Sequence, residues 1–254
     1  MGRGGPKFDD ARRRELAGAF AAGGEHYERV RPGYPVQAAD WIVPDGARTA
    51  VDLGAGTGKF TELLVARGLA VTAVDPSADM LAQLAARLPS VTCVAAAAER
   101  TGLPPASTDV VVAAQAWHWF DTAAATREAA RLLRPGGRAG LVWNQLDTRI
   151  PWVHRLSRIM HAGDVHKPDY QPPSGPELHG WEPLVIAWED PITPEGIVEL
   201  TKSRSYYLRA SEKHRRRVED NLAWYLFEHL GHSPGEALAL PYITQAWRAT
   251  EAPG

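Results

Sequence analysis

In the first half of the chain, short apolar runs alternate with longer stretches of helical spacing. Ala50-Val51-Asp52-Leu53 is apolar and runs straight into glycines, and residues 57–67 then set Phe60, Leu63 and Leu64 on one helical face. Residues 70–74 read as a second strand, and 76–88 as a helix for which Asp75 or Ser77 is a suitable cap. Two further strands fall at 91–95 and 109–114. A helix at 121–133 stops at Pro135-Gly136-Gly137, and 138–143 is a fifth strand. Short strands separated by helices of this length predict an α/β fold with a parallel sheet covered on both faces.

The pattern changes after Trp143. Residues 151–162 look helical, and 163–183, rich in Pro, Gly and His, predict a long functional loop. A strand at 184–188, helices at 194–203 and 211–230 and a last strand at 239–247 complete the chain. Val218, Leu222, Tyr225, Leu226 and His229 recur at helical spacing, as a core stripe does. Helices this late in the chain can also form a lid over the sheet's ligand edge. Towards the N-terminus, 10–22 reads as a helix ended by Gly23-Gly24, and a proline-punctuated stretch follows. Three parts are expected: an N-terminal helical segment (1–45), a ligand-binding core (46–150), and the end of the sheet with helical insertions (151–254).

Composition narrows the class without naming an activity. A length of 254 residues can bury a core without staples, and Cys93, the single cysteine, permits no internal disulfide. No apolar leader is visible, so a cytoplasmic protein is expected. A net charge of −2 gives no electrostatic reason to expect nucleic acid or an anionic membrane as partner, and no apolar run is long enough for a span.

The chemistry concentrates in Val51-Asp52-Leu53-Gly54-Ala55-Gly56-Thr57-Gly58-Lys59-Phe60, read as strand, tight turn and helix. Glycines admit positive φ and close approach of a ligand, while a helix start offers free N–H groups. Asp75, at the end of the second strand, is placed to accept both hydrogen bonds of a ribose diol. A dinucleotide fingerprint would need its third glycine at Lys59, and a pyrophosphate would meet the Asp52 carboxylate unfavourably. A ligand bearing sulfonium and ammonium groups would not. No G-x-x-x-x-G-K-[ST] phosphate loop is present.

This D-x-G-x-G-x-G pattern resembles that of class I S-adenosylmethionine-dependent methyltransferases. Tyr27 to Pro35 (YERVRPGYP), Gln115 to Asp121 (QAWHWFD) and Leu132 to Gly137 followed by Leu141-Val142-Trp143-Asn144 are similar to segments of the trans-aconitate-methyltransferase-like (methyltransferase type 11) group. The resemblance covers about residues 20–150. It implies a Rossmann-like seven-stranded sheet with a helical cap, and S-adenosyl-L-methionine as cofactor with S-adenosyl-L-homocysteine as product. It also implies an oxygen nucleophile, such as a carboxylate, on a small-molecule acceptor.

Cofactor contacts are expected from Tyr27, Arg31, Asp52, Gly54, Ala55, Gly56, Gly58, Asp75, Pro76, Met80, Ala98, Glu99, Gln115 and Ala116. Arg31 suits the cofactor's carboxylate and Asp52 its amino group. The group often has an acidic residue before Ala-Glu, where this chain has Ala96-Ala97-Ala98-Glu99. Adenine recognition then rests on backbone near Ala98 or on Glu99. His118 is the candidate catalytic residue as a general base, against the alternative that it only lines the site. Transfer to a carboxylate needs no base. Trp117, Trp119, Trp143, Arg204, Tyr206 and Tyr207 are candidate acceptor contacts.

Other patterns carry less. His154, His161 and His166 lack ligand spacing and no H-E-x-x-H occurs, so no metal is expected. Gly231-His232-Ser233-Pro234-Gly235 matches G-x-S-x-G, but a helix precedes it and Pro234 has no N–H to offer an oxyanion, so it is a turn. Arg12-Arg13-Arg14 and Arg215-Arg216-Arg217 read as solvated helix faces. A binding protein that holds the cofactor without turnover remains an alternative, because the glycine turn serves both. The sequence does not specify an oligomeric state.

Overall fold

The computed structural model describes residues 31–162 and 170–251. The expected helix at 10–22, the Arg12-Arg13-Arg14 run, Tyr27 and His166 lie outside the described residues. Strand β1 (Thr49–Leu53) is followed by the glycine turn, α2 (Thr61–Ala66), β2 (Ala70–Asp75), α3 (Ala78–Arg87) and β3 (Thr92–Ala95). A helix that the sequence pattern did not show, α1 (Val36–Ile42), precedes β1. Next come β4 (Thr108–Ala114), a 3₁₀ turn (Trp117–Trp119), α4 (Thr122–Leu132), β5 (Leu133–Leu146) and α5 (Pro151–Ile159). The chain ends with β6 (Leu178–Ile192), α6 (Pro194–Lys202), α7 (Ser205–Arg209), α8 (Glu212–Ala223), a π-helical turn (Trp224–His229) and β7 (Leu238–Glu251).

The strands form one sheet in the order β3-β2-β1-β4-β5-β7-β6. β1 to β5 run parallel, and β7 lies antiparallel between β5 and β6. The period-two alternation of a strand sends Val51 and Leu53 to one face and Ala50 and Asp52 to the other. The first face is buried with α4 residues Ala125, Ala129 and Leu132, and the second with α1 to α3. A third cluster joins α5, α6 and α8 to Leu146, Leu240 and Tyr242 of the sheet. These helices therefore cap the carboxyl end of β5, and Val218, Leu222, Tyr225 and Leu226 are core residues of that cap. His229 is exposed instead, because the π turn breaks the helical register just before it.

Two expectations need correction. The helix after β1, α2, starts at Thr61 rather than 57, because Gly58 at φ 90° cannot be helical. The sixth strand begins at Leu178, well inside the expected loop. As an edge strand it tolerates Pro183 and Pro191, whose missing N–H groups have no ladder to break. Tight packing explains Gly140, where a Cβ would lie 2.4 Å from Ile42 Cγ2 and hold α1 off the sheet.

Candidate functional site

Asp52 ends β1 on the α2 face and is 1% exposed. The Thr61 hydroxyl donates to its Oδ2 at 2.7 Å, while Oδ1 is buried with no hydrogen-bond partner among the described residues. Burial pushes its carboxyl up to about 7; the Thr61 hydrogen bond opposes this and the nearby Asp75 charge adds to it. An acidic group in this state can be ionised by a cation placed against Oδ1. Asp75 Oδ2 accepts the Gly56 N–H at 2.9 Å and Oδ1 the Ser77 N–H at 2.8 Å. Asp75 therefore braces the glycine turn. Its carboxyl is raised by burial, against the pull of those two bonds. The cap of α3 is Ser77, whose hydroxyl accepts the Met80 N–H at 3.3 Å.

The three glycines of the turn all have positive φ but different surroundings. A Cβ at Gly54 would lie 2.6 Å from Ala116 Cβ, and one at Gly58 would lie 2.8 Å from Leu84. At Gly56 a Cβ would meet nothing within 4 Å. Gly54 and Gly58 thus let neighbouring elements close on the turn, and Gly56 faces open space.

At the end of β4, Gln115 sits at φ 53°, an uncommon conformation for a residue with a Cβ. Its amide donates to Asn144 O at 2.7 Å. Asn144 in turn donates to Gly33 O at 2.7 Å and accepts from Thr244 Oγ1 at 2.6 Å, and Thr244 accepts from the Trp188 indole. This chain of bonds ties β4, β5, β7 and β6 to residues 31–35. Arg31 Nε and Nη2 donate to Ser203 Oγ and O at 3.0 and 3.1 Å, and Tyr34 packs edge-on against Phe60 at 5.3 Å. Residues 31–35 are therefore a strap from the glycine-turn helix to the cap.

The other expected residues divide. Met80, Ala98 and Ala116 are buried along the carboxyl edge, Ala55 is half-buried in the turn and Pro76 is exposed beside Asp75. Glu99 accepts the Asp121 N–H at 2.8 Å and so positions the start of α4. His118 is exposed on the 3₁₀ turn, its ring 4.7 Å from the half-buried Trp119. Trp117 and Trp143 are buried. Both are core residues: the Trp117 indole donates to Pro173 O at 2.8 Å, and Trp143 is covered by Tyr170. Tyr206 is exposed and stacks on His161, and Tyr207 donates to Glu219, a bond internal to the cap. Arg204 turns inward, donating to Ala162 O at 3.1 Å. Among the described residues no three His, Cys, Asp or Glu side chains gather as a metal site, and no helix is long and apolar enough to cross a membrane.

Thr61, Asn144, Ser203 and Tyr242 escaped the sequence reading. Only Asn144 carried a signal, as the polar residue closing an apolar strand.

Comparison with known proteins agrees with this architecture. A family model described as a methyltransferase domain matches residues 51–141. An uncharacterized methyltransferase of Mycobacterium tuberculosis (strain H37Rv) is 42% identical over 245 residues, spanning 94% of this chain and 98% of that protein. A trans-aconitate 2-methyltransferase of Rhodopseudomonas palustris (strain BisA53) is 42% identical over 155 residues, 54% of this chain and 59% of that one. The solved structure of a protein assigned as a type II methyltransferase from Anaeromyxobacter dehalogenans has a TM-score of 0.63 at 29% identity, covering 87% and 97% of the two chains.

Proposed function

Because the chain belongs to the methyltransferase family, we propose that it uses S-adenosylmethionine to methylate a carboxylate oxygen of a small organic acid. Two observations support the cofactor: the buried, unpartnered Asp52 Oδ1 and the open space in front of Gly56. The first suits an ammonium group and the second a ligand lying close over the backbone. When bound, the cofactor supplies an electrophilic methyl carried on a sulfonium.

The chain's own contribution is to bind, orient and exclude water. Asp52 would hold the amino group through Oδ1, and the turn from Gly54 to Gly58 would lie against the cofactor. Asp75 has lone pairs remaining for a ribose diol beside the Gly56 and Ser77 bonds, with Pro76 and Met80 flanking it. Ala98, Glu99, Gln115 and Ala116 line the far side, and Glu99 acts there through the start of α4. Alignment of this kind is worth about 7–11 kcal/mol in well-oriented model reactions. An ionised carboxylate has no proton to lose, so exposed His118 is not required as a base. The observation that carries the reading is the Asp52 orphan oxygen at the head of a glycine turn.

The decisive experiment is an acceptor screen with methyl-labelled S-adenosylmethionine across organic acids, phenols, thiols and amines. Label transfer to an acid, with release of S-adenosylhomocysteine, is expected. Transfer only to amines or thiols would overturn the carboxylate assignment. Tight S-adenosylhomocysteine binding with no turnover would mark a cofactor-binding protein.

A further inference from the structure

Tyr242 on β7 pairs with Leu146, the last residue of β5, and so stands at the carboxyl edge of the sheet beneath the cap. The residue is 3% exposed, and its ring stacks on Trp188 with centroids 5.3 Å apart. Its hydroxyl is buried and has no hydrogen-bond partner among the described residues. Native proteins rarely leave such a group unbonded, so each instance calls for an explanation.

Charged groups on three elements act on this hydroxyl. Arg204 acts on it from the cap, Arg31 from the strap and Asp190 from β6. Asp190 is the diagonal neighbour of Tyr242 on the same face of the β6–β7 pair, since Trp188 lies opposite Tyr242 and Asp190 opposite Leu240. Lys59, within the glycine turn, acts in turn on Asp190. Arg204 Nε is a second buried donor atom with no hydrogen-bond partner among the described residues. Burial also raises the phenol to about 12, so at neutral pH it is a donor. The group that matches two such buried donor atoms, one of them cationic, is an anionic oxygen.

We propose that Tyr242 is a specificity-determining residue that donates to a carboxylate of the acceptor, with Arg204 as the countercharge. The inference rests on the organic-acid reading above and deepens it. The acceptor carries at least two carboxylates, one held beneath the cap by Tyr242 and one presented towards the glycine turn. The polar strip from Asn144 and Thr244 to Tyr242 connects those two ends along one face of the sheet.

Calorimetric titration of the protein saturated with S-adenosylhomocysteine tests this, using glutarate, trans-aconitate and the neutral glutaramide. The KM for methylation of the same acids is measured alongside. Wild type should bind at least one acid and not the diamide. Tyr242→Phe should weaken that acid about 10- to 100-fold, the scale of a hydrogen bond to a charged group, and leave affinity for S-adenosylhomocysteine unchanged. Arg204→Gln should weaken it as well. The Phe variant without ligands should melt at or above the wild-type temperature, because it keeps the ring and loses an unbonded hydroxyl. Acids that bind and react equally well with the Phe variant would overturn the proposal and leave the organic-acid reading standing. Phe melting several degrees low would overturn it too, by showing the hydroxyl to be structural. If no acid binds or reacts while a phenol, thiol or amine does, both fall.

Discussion

Gly56 separates ligand binding from folding more cleanly than any other residue of the site. Its φ of 55° penalises a β-branched side chain, but a Cβ there collides with nothing. Gly56→Val is therefore expected to abolish S-adenosylhomocysteine binding with only a small loss in Tm, whereas Gly54→Val should fail in both because Ala116 Cβ stands in the way. Calorimetry and thermal melts read the two effects separately, and undiminished affinity in Gly56→Val would defeat the cofactor assignment. His118 is the second residue-scale case. Exposed and set against Trp119, it has the surroundings of a rim residue. His118→Asn should retain most of kcat, and the rate should follow the acceptor's ionisation instead of an imidazole's. A thousand-fold loss, with disappearance of an acidic limb present in wild type, would make it a base. The gathering of the glycines, Asp52 and Asp75 at one turn was legible because it follows from spacing within 25 residues. Tyr242 was not, since its significance depends on Asp190, Arg204 and Arg31, which only the folded sheet brings near it.

At the scale of elements, the alternation of strand and helix from β1 to β4 was legible because each apolar run is bounded by glycine or a polar turn. β6 was not. Its exposed, proline-bearing edge pattern lacks the apolar signal of a central strand, and its order comes from pairing with β7 over most of its length. The strap was read as a cofactor clamp, yet the described contacts of Arg31 join it to the cap. Arg31→Ala should therefore cost about 1–3 kcal/mol of stability. Adding Ser203→Ala should cost less than its effect alone, because both changes remove the Arg31 Nε–Ser203 Oγ bond, while the Ser203 Oγ–Leu200 O bond is lost in either background. Urea midpoints of the single and double variants measure this coupling. Strict additivity, or a tenfold or greater loss of S-adenosylhomocysteine affinity with unchanged stability, would return Arg31 to the cofactor.

Across the whole molecule, acidic groups pull the pH dependence of stability in two directions. Asp109, Glu128 and Asp147 have lowered pKa values, held down chiefly by hydrogen bonds from Arg134, Arg131 and Arg149 and from nearby backbone N–H groups. They contribute stability that is present above the ordinary carboxylate range and lost as pH falls below it. Asp52, Asp75 and Asp190 are raised, each mainly by burial. The folded state then holds protons that the unfolded chain has released, so stability declines as pH rises, through about 7 in the case of Asp52. Without cofactor the protein should be most stable between these limbs, near about pH 4–5, and its Tm should drop by several degrees towards pH 8. Asp52→Asn keeps an acceptor for Thr61 and removes the titration, so its profile should be flatter on the alkaline side. Binding should show the opposite slope. An ammonium group needs the ionised carboxylate, so S-adenosylhomocysteine affinity should rise about tenfold per pH unit up to about 7 and then level off. In Asp52→Asn the affinity should be low and independent of pH over that range. Calorimetric titrations from pH 5.5 to 8 with both proteins measure this. A flat wild-type profile together with equal affinity in Asp52→Asn would mean that the amino group binds elsewhere.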